Sequence, residues 1–234
     1  MRNSKQFDYT ILGAGIFGLY AANLLSKKGL KVCVIDSSDT IFGRASSINQ
    51  ARVHQGYHYP RSLSTATVSA NYFDRFIKDF EPAINSSFKK IYAISNRNSF
   101  TSSKQFLKFC ELCNIPAKSV NPDLYFTPGT VEGAYETKEF SFDPNLLKEI
   151  LLERNCNSQN IVYIFNEQLI DTQTEESYFF LKFSSGLQIK SKGVFNCSYA
   201  SINQILKLFR FDLLDLKYEI CEIALCTVNE NLKN

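Results

Sequence analysis

The chain has 234 residues, 44% apolar and 14% aromatic, enough to bury the core of one large domain or two small ones and too much for a disordered chain. Its 26 basic and 23 acidic side chains leave a formal charge of +3, too near balance to argue for a nucleic acid or an anionic membrane as partner. Seven cysteines, an odd count in no framework-like spacing, read as reduced thiols of an intracellular protein.

No stretch approaches the roughly 20 apolar residues of a spanning helix. Met1 to Tyr9 carries one basic residue before a polar run and does not have the form of a secretory signal, so the expectation is a soluble, cytoplasmic protein. Phe7 to Leu12 then predicts a short buried strand, followed by Gly13-Ala14-Gly15-Ile16-Phe17-Gly18, which fits G-x-G-x-x-G. A helix is expected from Ile16 through Leu19, Tyr20 and Leu24, with a polar Asn23 in the stripe and Lys27-Lys28-Gly29 as stop signals. Lys31 to Asp36 reads as a second strand ending in an acid.

Each of these positions has a physical job. Gly13 permits the tight turn, Gly15 lets a pyrophosphate approach the backbone, and Gly18 lets helix and strand pack closely. The helix start at Ile16 presents unpaired N–H groups and a partial positive charge to that pyrophosphate. Asp36 stands where an acid would hold a ribose hydroxyl, and an acid there disfavours the 2′-phosphate of NADP. The bland alternative is a βαβ unit whose glycines serve packing alone. Strand, triplet, helix, strand and acid in register favour dinucleotide binding over it, with NAD and FAD both open at this point.

The segment from Phe42 to Pro60 bears on that choice. Rich in small and hydrogen-bonding residues, it suits a cofactor lying extended across the protein with a ring system beyond the pyrophosphate. Here the sequence resembles the FAD-dependent oxidoreductases of the D-amino-acid oxidase superfamily, through Arg44, Ala45, Ser46, Asn49, Ala51, His54 and Gly56. Ala51 and Arg44 depart from that pattern, standing where glycine is more usual. The resemblance implies FAD as cofactor, with Arg44, Ala45 and Ser46 lining it and His54 near the flavin. It further implies contacts from a residue near Leu169 at the adenine end, and from the turn at Asn196-Cys197-Ser198, where Cys197 replaces a small residue of the family.

Arg61 to Phe80 predicts a helix, with Leu63, Ala66, Ala70, Phe73, Ile77 and Phe80 stepping by three and four along a core-facing stripe. Strands are expected over Phe88–Ile94 and within Thr130–Phe140, with a helix over Lys104–Cys113 between them. Asp143-Pro144 is an N-cap followed by a proline at the first helical position of a helix reaching about Arg154. Further strands are expected over Ile161–Ile164, Gln168–Thr174, Tyr178–Phe183 and Leu187–Lys190. Another strand and helix start follow over Gly193–Ala200, a helical face from Ile202 to Phe209, and a last strand over Lys217–Val228.

The fold class expected is α/β. A Rossmann-like, FAD-binding domain would take residues 1–87 and 141–215, and a partial, strand-rich substrate-binding region 88–140 and 216–234. Members of the resembling family are typically longer, so the chain is expected to lack their C-terminal part.

His54 and His58 have helical spacing, but Gly56 and Pro60 argue against a helix and no carboxylate or thiolate pair stands near, so no metal site is expected. His54, with Tyr57 or His58 as neighbours, is the catalytic candidate, weighed evenly against a loop histidine that only makes hydrogen bonds. Arg52 and Arg61 could clamp a substrate carboxylate or could be solvated surface residues. Cys110-x-x-Cys113 has no second pair and reads as half-buried thiols.

The expected function is a FAD-dependent oxidoreductase oxidising a C–N or C–O bond of a small substrate, carboxylate-bearing substrates among the candidates, by hydride transfer to flavin. An NAD-linked dehydrogenase and a non-catalytic nucleotide-binding module are the alternatives. The sequence leaves the oligomeric state open.

Overall fold

The computed structural model describes residues 5–220 and 222–223. The chain runs β1 (Lys5–Leu12), α1 (Ile16–Ser26), β2 (Val32–Ile35), β3 (Arg52–Val53), α2 (Leu63–Asp79), β4 (Ile84–Asn85), β5 (Lys90–Ser95) and α3 (Ser103–Leu112). It continues through β6 (Ala117–Val120), β7 (Val131–Thr137), β8 (Phe140–Phe142), α4 (Pro144–Cys156), β9 (Ile161–Ile164), β10 (Leu169–Glu175), β11 (Tyr178–Phe183), β12 (Gln188–Asn196) and α5 (Ile202–Leu208).

Two compact units result, one made of the described residues up to Asn49 and from Lys148 on, the other of Gln50–Leu147. In the first, a six-stranded sheet has the order β10-β11-β12-β1-β2-β9. The four strands β12, β1, β2 and β9 are parallel, and β10, β11 and β12 form an antiparallel meander. All four residues of β2 are buried, as a parallel strand covered on both faces requires. Val32 and Val34 join one apolar cluster with Ile11, Ala14 and Ala22, while Cys33 and Ile35 join another with Leu12, Leu181 and Ile189. This period-two division of β2 between two cores is the signature of a central strand. The α/β, Rossmann-like fold class is thus correct.

The second unit holds two small antiparallel sheets, β5-β7-β6 and β3-β8-β4. Its core gathers Tyr57, Ala66, Phe106, Phe109 and Tyr135. Helix α3 is opened by a capping box, in which the Ser102 side chain accepts from the Gln105 amide and the Gln105 side chain accepts from the Ser102 amide. The compact units differ from the expected division at residues 50–87 and 141–147, and at the described residues 216–220 and 222–223, which fall in the first unit. Arg52 pairs with Ser141 and Val53 with Phe140, and Ala66 of α2 packs in the second unit's core, so local pairing ties residues 50–87 there.

Two expectations are corrected within these elements. Leu187–Lys190 and Gly193–Asn196 form one strand, β12, because its pairing with β1 runs unbroken from Lys5↔Ile189 to Leu12↔Asn196 apart from Asp8. Residues 217–220 and 222–223 are not in a strand, having no pairing partner among the described residues; the rest of the expected Lys217–Val228 strand falls outside them. Among the described residues no helix is long and apolar enough to cross a membrane.

Candidate cofactor and active site

The glycine bend follows β1 directly. The Gly13 amide donates to the Ile35 carbonyl at 2.7 Å and the Cys197 amide to the Leu12 carbonyl at 2.8 Å, so the bend is anchored to the ends of β2 and β12. Gly13 has φ +114°, and a Cβ there would meet the Cys197 carbonyl oxygen at 2.5 Å. At Gly18 a Cβ would stand 1.9 Å from the Gly13 carbonyl oxygen, which no side chain tolerates. These two glycines let α1 begin immediately over the strand end.

Polar groups converge on that helix start. The Ile16 amide donates to Ser46 Oγ at 3.0 Å, and a Cβ on Gly15 would meet only the Ser46 side chain within 4 Å. The Asp36 carboxylate faces the bend: Oδ2 accepts from the Ala14 amide at 2.7 Å and Oδ1 from the Ser38 amide at 2.8 Å. Each carboxylate oxygen keeps further acceptor capacity, and the Ser46 hydroxyl proton remains available to an anion. A diphosphate beside the helix N-terminus and a ribose hydroxyl on Asp36 therefore fit the residues present.

The structure brings Gly13, Gly15, Ile16, Gly18, Asp36 and Ser46 together. Arg44 and Ala45 occupy the exposed turn just before Ser46, with Arg44 Nη2 donating to Ser37 Oγ at 3.2 Å. Cys197 takes part through its backbone, and burial holds its thiol protonated by raising its pKa. Leu169 is the first residue of β10 and its side chain lies in the core. The chain just before it is tied to the Asp36 segment, by Asn166 N to Ser38 O at 3.0 Å and Glu167 N to Asp36 O at 3.1 Å.

His54 lies in the second unit. Its Nδ1 is 3.4 Å from Oε1 of Glu139, whose Oε2 accepts from the Tyr92 hydroxyl at 3.2 Å. Burial, then the Glu139 charge, raises the Tyr92 pKa and keeps its hydroxyl protonated. His58 stands edge-on to His54, ring centroids 5.0 Å apart, and its Nε2 is hydrogen-bonded to the Arg52 guanidinium. Partial burial, the Arg52 charge and His54 lower the His58 pKa, favouring the neutral ring. Arg52 makes no ion pair with a carboxylate among the described residues. Tyr57 is a core residue, its hydroxyl held by Gln55 and the Pro116 carbonyl. Arg61 lies over the Phe100 ring instead, 5.1 Å from its centroid.

Glu139 is the functional candidate that sequence reasoning missed. It occupies the two-residue break between β7 and β8, a place where an isolated acid ordinarily reads as a solvated turn residue. Its only sequence signal is that the break is flanked by aromatic strands. Burial of Cys110, by contrast, raises its thiol pKa to about 12 and keeps it protonated; both cysteines of the C-x-x-C pair are free thiols, and they are buried where half-burial was expected.

Residues 11–80 match the family described as NAD(P)-binding Rossmann-like domain. The chain is 30% identical over 89 residues to the FAD-dependent monooxygenase FPY4 of Fusarium mangiferae, covering 38% of this chain and 24% of that protein. Glycine oxidase from Geobacillus kaustophilus superposes with a TM-score of 0.72 at 12% identity, over 88% of this chain and 59% of that one. L-α-glycerophosphate oxidase from Mycoplasma pneumoniae, solved with FAD bound, superposes with a TM-score of 0.67 at 16% identity, over 87% and 57%. The chain shares its fold with these two oxidases. It spans about a quarter of the curated monooxygenase and somewhat over half of each of these two oxidases.

Proposed function

We propose that this chain binds FAD and serves a flavin-dependent oxidoreductase that oxidises a C–N or C–O bond of a small, carboxylate-bearing substrate. The observation that carries the reading is the Asp36 carboxylate turned onto the glycine bend, with the Ser46 hydroxyl at the start of α1. Gly13, Gly15, Ile16, Gly18 and Ser46 would hold the diphosphate, Asp36 the ribose, and Arg44, Ala45, Leu169 and Cys197 would border the cofactor. FAD, when bound, supplies a two-electron acceptor that takes hydride from the substrate carbon. His54 would take the proton from the substrate heteroatom. Arg52, beside a neutral His58 and without a carboxylate partner among the described residues, would take the substrate carboxylate. The similarity to a FAD-dependent monooxygenase and the fold shared with an oxidase solved with FAD bound support the choice of cofactor.

Purified protein titrated with FAD tests this. Asp36→Ala should weaken FAD binding about 10- to 100-fold, the loss of one charge-assisted hydrogen bond. Asp36→Asn, which keeps the shape, should fall between it and the wild type. Unchanged FAD affinity in Asp36→Ala would remove the assigned role. The match of residues 11–80 to an NAD(P)-binding description favours one second reading, an NAD-linked dehydrogenase, which binding of NAD without uptake of FAD would support.

A further inference from the structure

We infer that Glu139 is a positioning residue that locks the His54 imidazole in the tautomer protonated at Nδ1, leaving Nε2 as the atom that accepts a proton. The catalytic use of that proton acceptor rests on the function proposed above; the tautomer itself does not.

Glu139 is 1% exposed, and a carboxylate so buried requires donors on both oxygens. It has two. Oε2 is served by the Tyr92 hydroxyl at 3.2 Å, and Oε1 has only the His54 Nδ1 at 3.4 Å among the described residues. An ionised carboxylate accepts and cannot donate, so Nδ1 must carry the hydrogen. Neutral His54 then presents a bare Nε2, which makes no hydrogen bond among the described residues, on a side chain that is 30% exposed. His58 cannot stand in for it, because its Nε2 lone pair is occupied by the Arg52 guanidinium, a group that does not give up its proton.

The charged and titratable groups around this pair include Arg52 of β3, Tyr57, His58 and Tyr59 in the segment that follows His54, Lys90 and Tyr92 of β5, and Glu139 itself. Glu139 is the only acid among them. In the function proposed above, the proton released by the substrate heteroatom would pass to His54 Nε2 as the C=O or C=N bond forms, with bound FAD supplying the acceptor for the hydride. The imidazolium so produced is stabilised by the Glu139 carboxylate on its far side, the arrangement that makes a buried acid useful to a histidine base.

The test is the tautomer of His54 in the ¹⁵N-labelled 234-residue chain at pH 8 without added cofactor, read from long-range ¹H–¹⁵N spectra and assigned with His54→Gln. Wild type should show Nδ1 protonated and Nε2 bare. Glu139→Gln should convert this to a mixture of tautomers, while Tyr92→Phe, which leaves the carboxylate in place, should retain the wild-type form. Wild-type His54 protonated at Nε2, or a tautomer unchanged in folded Glu139→Gln, would overturn the inference, and the wild-type spectrum decides the first point even where the variant fails to fold. In protein loaded with FAD, Glu139→Gln should lower kcat about 100-fold with KM within threefold. A loss confined to KM would equally overturn it. A chain that shows the expected tautomer yet takes up no flavin would leave the positioning intact and refute only the function proposed for the site.

Discussion

Ala51 has φ +50°, in the left-handed region where a Cβ crowds the following carbonyl, and its own carbonyl accepts from the Phe142 amide at 2.9 Å. The β3–β8 pairing that begins at Arg52 depends on the chain turning here, which explains why a strained alanine persists. Ala51→Gly should therefore stabilise the protein by about 0.5–1 kcal/mol, the relief of strain exceeding the added entropy of the unfolded chain. Urea denaturation checks this, and a destabilised variant would contradict it. The resemblance noted in the sequence marks this as a usual glycine position, so the anomaly was legible there while its cause was not. The opposite holds at Glu139. Its importance depends on a histidine 85 residues away and a tyrosine 47 residues away, and no local pattern brings the three together.

At the level of elements, α1 was legible down to its polar exception. Asn23 lies in the apolar stripe because its Nδ2 donates to the Arg154 carbonyl at 3.1 Å. The neighbouring Asn155 answers in reverse, Nδ2 donating to the Leu19 carbonyl at 3.2 Å and to the Tyr163 hydroxyl at 3.1 Å. Two buried asparagines thus tie α1 to the last turn of α4. Asn155→Ala removes both bonds of a residue that is 2% exposed, and should cost about 2 kcal/mol in thermal or urea unfolding. A loss below about 0.5 kcal/mol would mean that water replaces the amide. The N-cap of α4 was equally readable, since Asp143 Oδ1 accepts from the Asn145 amide at 2.7 Å. β6 was not, because Ala117–Val120 is four residues between a proline and an asparagine. It becomes a strand only by pairing with β7.

On the scale of the whole molecule, β12 inserts between β1 and β11, joining the first strand of the chain to one that lies more than 180 residues later. The Asp8–Lys192 ion pair, 2.7 Å long, spans the same join at the surface. Closing so long a loop is costly and leaves the centre of this sheet formed only when the whole unit is formed. Amides of Thr10–Leu12 and Val32–Ile35, flanked by strands on both sides, should accordingly exchange hydrogen most slowly, with protection near the global unfolding free energy. Hydrogen-exchange mass spectrometry resolves these segments. Faster exchange there than in α2 would show that the sheet opens below global unfolding.

The sequence by itself determined the βαβ opening, its glycine bend and the acid 23 positions beyond the first glycine. Those features arise from backbone sterics and short-range hydrogen bonding, which act between near neighbours and so leave a readable spacing. Only the tertiary structure decided that residues 50–87 pack with the second unit, that β12 completes the sheet, and that a buried Glu139 faces His54. Each of these depends on burial and pairing between segments remote in sequence, where no period or motif records which partner a side chain will meet.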